Sequence, residues 1–497
     1  LNEVHRMETF DMDATNGFLD SKWYHLYCSV QRCNSALRVL NAATDEQVNG
    51  RVSRIAEMKV LRAHYYFELS RLFNKIPYFD ENVEISQYPD IPNNEFTRDE
   101  ILSMLAKEML DAAEQLPASQ PEVGRIHKYI ALAYAAKIKL YQAYQQDEIT
   151  HAVTSINKEL LREVVSLCDQ VTASNRYGLL DDFQGLDLVA NENGKESVFA
   201  IQYSMNDGTE SAGRINWSNL LNSPGGGSPY GGDGFFLPSQ DLINAYQTDA
   251  NGLPDFNYQS KSDYSWAVLN NGVYTLQNTT PNVDPRLDFV VGRPTITWKT
   301  YPDKPCEGWV RDKDTYGYNC AKRFWVSPES SDMFNGWPWG ASQLNWQIIR
   351  YADILLWKAE ALIELNEGNG LETARDLINQ IRNRARNSAY VKDFNDHSKY
   401  AANYLVNPYP ADVWNQDYAR QALRWETRLE KALEGERFFD LVRWGIVETT
   451  MNKYITAESD NRIYYANAHF TGGKDEYYPV PNNQYGFSGG KYVQNPG

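Results

Sequence analysis

Cysteine is scarce in this chain and poorly placed for chemistry. Only five occur among 497 residues (Cys28, Cys33, Cys168, Cys306, Cys320), and no two form a C-x-x-C pair, which excludes a zinc ribbon and a thioredoxin-type motif. The seven histidines are scattered and never reach H-E-x-x-H or another ligand spacing, so no zinc site is expected. Positive charge is in deficit as well. Forty-eight Lys plus Arg stand against 65 Asp plus Glu, and a net charge of -17 repels phosphate backbones and anionic membrane surfaces, which argues against nucleic acid as a partner. Long apolar runs are missing too: none approaches the roughly 18 residues of a membrane span. The opening LNEVHRMETF has neither the basic nor the apolar part of a signal peptide, so the chain is expected to be cytosolic or to have lost a leader.

Catalytic signals are equally thin. GFSGG, Gly486 to Gly490, has the form of a nucleophile elbow but sits in a C-terminal tail without the strand and helix that would flank one. Oxygen-rich loops near Asp11 and Asp249 lack the full calcium-loop pattern. No cofactor is therefore expected, with calcium at these loops as the alternative to solvated turns. Cys306 and Cys320 close a loop rich in Gly, Pro and Asp and could pair in an oxidising compartment.

What is present is helical periodicity and an excess of aromatics. Leu102, Leu105, Met109, Ala112 and Leu116 follow a Thr97/Glu100 capping box, and Ile55, Met58, Leu61, Tyr65, Leu69 and Leu72 step by three and four. Continued along the chain, the pattern predicts an all-α fold of about eight helices, at 18–41, 51–74, 97–116, 125–145, 157–174, 346–366, 371–386 and 417–444. Paired helices of this length with small residues at their crossings resemble tetratricopeptide repeats. Segments 18–175 and 346–445 would then be one scaffold of four pairs in a single domain. Between them, 176–345 loses the helical period to Gly, Pro, Asn and aromatics, as in NSPGGGSPYGGDG, and reads as a loop-rich insert.

In EGERFFDLVRWG, Glu434, Arg437, Asp440 and Arg443 alternate in sign at i, i+3 spacing, which on a continuous helix is a structural ion ladder rather than a catalytic cluster. Gly435 inside that helix would need a close contact with another element to offset its cost.

Several segments together, RYADILLWKAEALIEL, ETRLEKALEGERFFDLVRWG, YYPVPNNQ and, upstream, EMKVLRAHYYFELSRLFNKIPYF, GRIHKYIALAYAAKIKLY, NRYGLLDDF, LPSQDLINAYQTDANGLP and DPRLDFVVGRP, resemble the SusD/RagB family in the expected order over nearly the whole chain. The resemblance implies a tetratricopeptide-like scaffold carrying a variable loop-rich part. It also implies a surface lipoprotein of the Gram-negative outer membrane, anchored through a lipidated cysteine absent from this sequence, acting as a lid on a SusC-like TonB-dependent transporter. Family members bind oligosaccharides or, in the RagB branch, peptides, without catalysing a reaction.

Ligand residues must come from the chain itself. Residues 298–346 hold eleven aromatics, six of them tryptophan, and sugar rings are bound by flat aromatic platforms edged with polar groups. Trp298, Tyr301, Trp309, Asn335, Trp337 and Trp339 are the candidates here, with GWPWG placing two indoles on a proline-stiffened turn. Tyr88 and Asn93, beside Asn94 in the loop after the second helix, form a second candidate surface, and Trp217, Tyr230 and Phe235 a third. The alternative for each tryptophan is a place in the core of the insert. The expected function is oligosaccharide capture, with peptide binding as the alternative; a glycoside hydrolase would need two facing carboxylates that do not stand out.

Overall fold

The computed structural model of the chain describes residues 2–209, 213–217, 228, 234–265, 267–270, 273–276, 281–301, 308–334 and 340–495. They form two compact units. The first comprises 1–175, 438–455 and 467–497; the second comprises 176–437 and 456–466.

The first unit is built from long helices. Gly17–Ala42, Arg51–Phe73, Arg98–Gln115, Lys128–Ala143 and Lys158–Ala173 follow one another, each packed on the next. Their starts are chemically explicit. Asn16 and Asn157 accept backbone N–H groups at two helix N-termini, and Thr97 with Glu100 closes the expected capping box. Leu102, Leu105, Met109 and Ala112 are buried as their spacing predicts, as are Leu161, Val164, Cys168 and Val171. The Arg51–Phe73 helix departs from expectation: Ala56, Val60, Ala63, Phe67 and Phe73 are buried, while Ile55, Met58 and Leu61 are only half-buried. It packs against helices on two sides, so its buried surface is wider than one stripe.

The second unit holds the remaining long helices, Tyr351–Leu365, Gly370–Asn387 and Gln416–Glu430. Their common core is built from Ala352, Leu355, Ala359, Ile363, Ile378, Ile381, Ala419 and Leu423. The expected helix start at 346 is instead a strand, Trp346–Arg350, paired antiparallel with Ser197–Ile201. Further short strands pair in the segment read as loop-rich, among them Val291–Gly292 with Cys320–Ala321. A second hydrophobic cluster gathers Phe183, Ile243, Tyr246, Leu287, Phe289 and Val290.

The expected 417–444 helix is broken. It runs to Glu430, and a new helix begins at Arg437, because Leu433 (φ 65°) and Gly435 (φ 79°) take left-handed backbone conformations. A Cβ on Gly435 would meet nothing within 4 Å, so the glycine serves the turn and not the close helix contact expected of it. The ion ladder is corrected with it. Glu434 is buried and paired with Lys431, Arg350 and Arg323, while Arg443 pairs with Asp440 at 3.0 Å on the next helix.

Candidate functional site

The structure separates the candidate residues into several roles. Trp298 and Trp309 are 0% and 1% exposed and pack with Trp325 and Cys320 into a small core, their ring centroids 5.8 Å apart. Trp298 Nε1 donates to the Ala321 carbonyl at 2.9 Å. Both are therefore corrected from platform to filler, because a segment with few helices still has to bury apolar surface, and the indoles supply it. Tyr301 packs on Trp309 at 5.8 Å and stays half-buried. Asn335, Trp337 and Trp339 lie outside the described residues, as do Tyr230 and Cys306; Cys320 is buried, and burial raises its thiol pKa.

Asn93 is corrected as well. Its side chain is fully spent: Nδ2 donates to the Val493 carbonyl (2.9 Å) and the Lys75 carbonyl (3.3 Å), and Oδ1 accepts the Val493 N–H (2.8 Å). It fastens the C-terminal segment rather than facing a ligand. Tyr88 is half-buried, stacked on Phe79 at 3.9 Å, with its hydroxyl accepting from Arg38 Nη2 at 2.9 Å. Trp217 is 46% exposed, and beside the half-buried Phe235 the exposed ring is Phe236.

The loops weighed for calcium are closed on themselves. Asp249 Oδ1 accepts the N–H groups of Asn251 and Leu253, and Asp13 is shared by Arg6 and Thr15. Among the described residues no group of three or more potential ligands could hold a metal ion. Ser488 of GFSGG follows a helix and donates its hydroxyl to the Tyr485 carbonyl, the geometry of a turn and not of a nucleophile.

A cavity of about 500 Å³ lies within the second unit, a volume typical of small-ligand sites. Three pieces of chain build it. The first is the 3₁₀ turn Phe183–Asp187, started by Asp182, whose Oδ1 accepts the Gln184 N–H at 2.9 Å; it contributes Phe183, Gln184, Gly185 and Asp187. A Cβ on Gly185 would stand 2.9 Å from Asn191 Nδ2, so the bare backbone is what lets Asn191 lie alongside it and donate to its carbonyl. The second piece is the chain leaving the Val291–Gly292/Cys320–Ala321 strand pair. Lys322 N–H donates to the Val290 carbonyl, and Lys322, Arg323, Trp325 and Ser327 follow along the wall. The third is Lys299–Thr300. Lys299 (φ 56°) and Phe324, between Arg323 and Trp325 (φ 68°), both hold left-handed backbone, a conformation that side-chain-bearing residues keep only when their surroundings impose it.

The electrostatics of this wall are fixed from behind. Asp187 accepts Lys299 Nζ at 2.8 Å and Arg323 Nε at 3.1 Å; burial opposes its charge, but the two cations hold the carboxyl below the usual range. Arg323 continues to Glu434 (3.3 Å), Glu434 to Arg350 (2.7 Å) and Lys431 (2.6 Å), and Arg350 to Glu196 (2.8 Å) and Glu430 (3.0 Å). Arg286 links Glu430 to Glu426 and Asp284, and Arg382 meets Glu426 at 3.0 Å. These side chains are nearly all solvent-free, so the net clamps the cavity wall into one geometry before any ligand arrives.

Chemically, the cavity offers apolar surface from Leu180 and Leu188, behind which the buried rings of Phe183, Phe289 and Trp325 close the wall, neutral hydrogen-bonding groups from Gln184, Asn191, Thr300 and Ser327, and fixed charges. Asp187 is spent on its ion pairs. Such a lining suits a small polar ligand with an apolar face. The sequence reading missed Asp187, Lys299, Lys322 and Arg323. The available signal was CAKRFWV, in which two cations interrupt an apolar and aromatic run, a pattern that burial requires to be paired.

Comparison with known proteins agrees with this architecture. Residues 195–497 match the SusD family model, and residues 3–140 match a second model described as starch-binding, associating with outer membrane. A SusD-like protein of Bacteroides ovatus is 22% identical over 457 residues, covering 88% of this chain and 67% of that protein. The crystal structure of a SusD superfamily protein from Bacteroides vulgatus superposes with a TM-score of 0.69 at 20% identity, covering 100% of this chain and 89% of that one. Surface glycan-binding protein A from Bacteroides thetaiotaomicron, solved in complex with laminarihexaose, gives a TM-score of 0.61 at 19% identity over 99% of this chain and 88% of that one. With the tetratricopeptide-like helical scaffold and a family model matching well over half its length, this chain belongs to the SusD family.

Proposed function

We propose that this chain is a non-catalytic glycan-binding protein of the bacterial surface, which captures oligosaccharides and hands them to a SusC-like TonB-dependent transporter in the outer membrane, held there by a lipid anchor. The observation that carries the reading is the cavity beside Asp187. It combines apolar side chains, amide and hydroxyl partners and a wall immobilised by buried ion pairs, a combination suited to polyhydroxylated ligands with an apolar C–H face. Tyr301, Asn335, Trp337 and Trp339 remain proposed sugar contacts on the strength of the sequence. Support from outside the chain comes from the shared fold of a protein solved with laminarihexaose and from the second family's description as starch-binding and associating with outer membrane.

The carboxylates lining the cavity are each engaged, Asp187 with Lys299 and Arg323, Asp181 with Lys195 and Asp182 with the N–H groups of Gln184 and Ala389, which supports a reading of binding without turnover. Titration calorimetry of the purified chain against a panel of neutral and acidic oligosaccharides and a panel of peptides tests it, with reducing-end release followed in parallel. Saturable binding of at least one glycan without hydrolysis is expected. Binding confined to peptides, or release of new reducing ends, overturns the proposal. Co-purification of the tagged chain with a TonB-dependent transporter from its native membrane tests the delivery step.

A further inference from the structure

Lys322 sets the cavity apart from a neutral sugar site. The residue is 3% exposed, lines the cavity and makes no ion-pair contact with a carboxylate among the described residues; its Nζ donates to the main-chain carbonyl of Asp288, whose nearby carboxylate offsets only part of the cost of burial. The Asp288 carboxylate is itself committed to Arg293 and to the Tyr404 hydroxyl. An ammonium has three donors, so Lys322 is left with two unspent by described residues in a place where water is scarce. Burial of such a charge is costly, and it pushes the Lys322 ammonium down to about 8. Lys299 reaches the same cavity with one described partner, Asp187, and its ammonium is lowered by burial as well. The acids at the rim do not supply the missing charge. Asp181 is exposed and turned to Lys195 at 2.9 Å, and Asp182 accepts the N–H groups of Gln184 and Ala389.

We infer that the cavity is a subsite for an acidic sugar, with the ligand's carboxylate or sulfate seated between Lys322 and Lys299 and its apolar face against Leu180 and Leu188, the lining residues that keep apolar surface open to solvent. This deepens the glycan-binding reading and rests on it. An anion there would occupy the unspent donors and restore the charge balance that burial demands, and charge-assisted hydrogen bonds are roughly twice as strong as neutral ones. The volume fits about one or two sugar units, not a long stretch of polymer. The chain's net charge of -17 sharpens the choice. Its long-range field disfavours densely charged polyanions, but at physiological salt it is screened beyond about 8 Å, so a single acidic residue inside the cavity experiences the lysines and not the distant surface.

The test compares matched ligands on the full chain by titration calorimetry: tetragalacturonate against its methyl ester, a sulfated galactan tetrasaccharide against its desulfated form, and laminarihexaose as a neutral reference. The expected result is that an acidic member binds about tenfold or more tightly than its neutral counterpart. A preference in the first pair identifies carboxylate as the source of the anion; one in the second pair identifies sulfate. Lys322→Met and Lys299→Met should each reduce that preference, read within each variant as the ratio of its acidic to its neutral affinity. If either variant fails to fold, the matched pairs on the unaltered protein decide. Equal affinity for acidic and neutral members, or folded lysine variants that keep the full preference, overturns the inference and leaves glycan binding standing. Absence of binding to every glycan in the panel overturns both.

Discussion

The two units reach stability by different means. In the first, helices are held mainly by interdigitated apolar side chains, with one buried ion cluster of Arg62, Glu81 and Glu108: Val60, Phe67, Leu105, Met109, Ile138 and Val164 are solvent-free, and every residue from Ile130 to Ala143 is buried. In the second, the helices share an apolar core, but Arg286, Arg350, Arg382 and Arg384 are buried too, and each is met by carboxylates. Apolar packing tolerates local error, since a lost methyl leaves a void of limited size. A buried ion does not, since the partner of a removed charge is left unneutralised. The ionic unit is also the one that carries the cavity, which is consistent with a demand for fixed geometry that hydrophobic contacts, being non-directional, meet less well.

The sharpest way to break the comparison is to remove one charge from the net. Arg350→Met strips Glu196, Glu430 and Glu434 of a shared partner at once and should cost about 3–5 kcal/mol, read as a lowered denaturation midpoint. A cost below 1 kcal/mol would mean that the net adds little. In the first unit the corresponding change, Leu105→Ala, should cost about 2–5 kcal/mol through the cavity it leaves, without any change in the salt dependence of stability.

Acid should separate the units next. Burial lowers the rings of His64 and His151, in the first unit, to about 4, so the folded state holds them neutral. Their contribution is complete above the unfolded value near 6.5 and is lost as pH falls from there to about 4. In the second unit burial opposes the charge of Glu430, but Arg384, Arg350 and Arg286 bring its carboxyl down to about 2. Its contribution is therefore complete above the unfolded value near 4.3 and is lost only as pH falls from there toward 2. Hydrogen exchange, corrected for intrinsic rates, should show the Arg51–Phe73 helix losing protection between pH 6.5 and 4 while Gln416–Glu430 keeps it. The reverse order would refute the assignment. The smallest effect is expected from Gly435→Ala. With open space around the new methyl and a left-handed φ, only backbone strain of about 1 kcal/mol should appear, measurable in the same denaturation experiment.

The long helices were legible because their information is local. Thr97 and Glu100 announce a helix start, and Leu161, Val164, Cys168 and Val171 mark a face, through interactions spanning no more than a few residues. Legibility failed where a distant partner decides. Nothing near Glu434 in the sequence reveals that Arg350 and Arg323 will reach it, and with Gly435 taken as helical the local pattern suggested an exposed ladder. Trp298 and Trp309 failed for a related reason. An indole serves equally as platform or as filler, and only the packing of Cys320 and Trp325 around them distinguishes the two. Asn93 is likewise explained by Val493, four hundred residues away.

Periodicity, capping and the order of family segments, all short-range or additive properties, were enough for the sequence to specify a helical SusD-like scaffold with an aromatic, irregular middle. Which rings are sealed, which charges are paired and where a cavity opens were decided in three dimensions, because burial sets the energy of each of these groups, and burial belongs to the assembled fold and not to any residue in it.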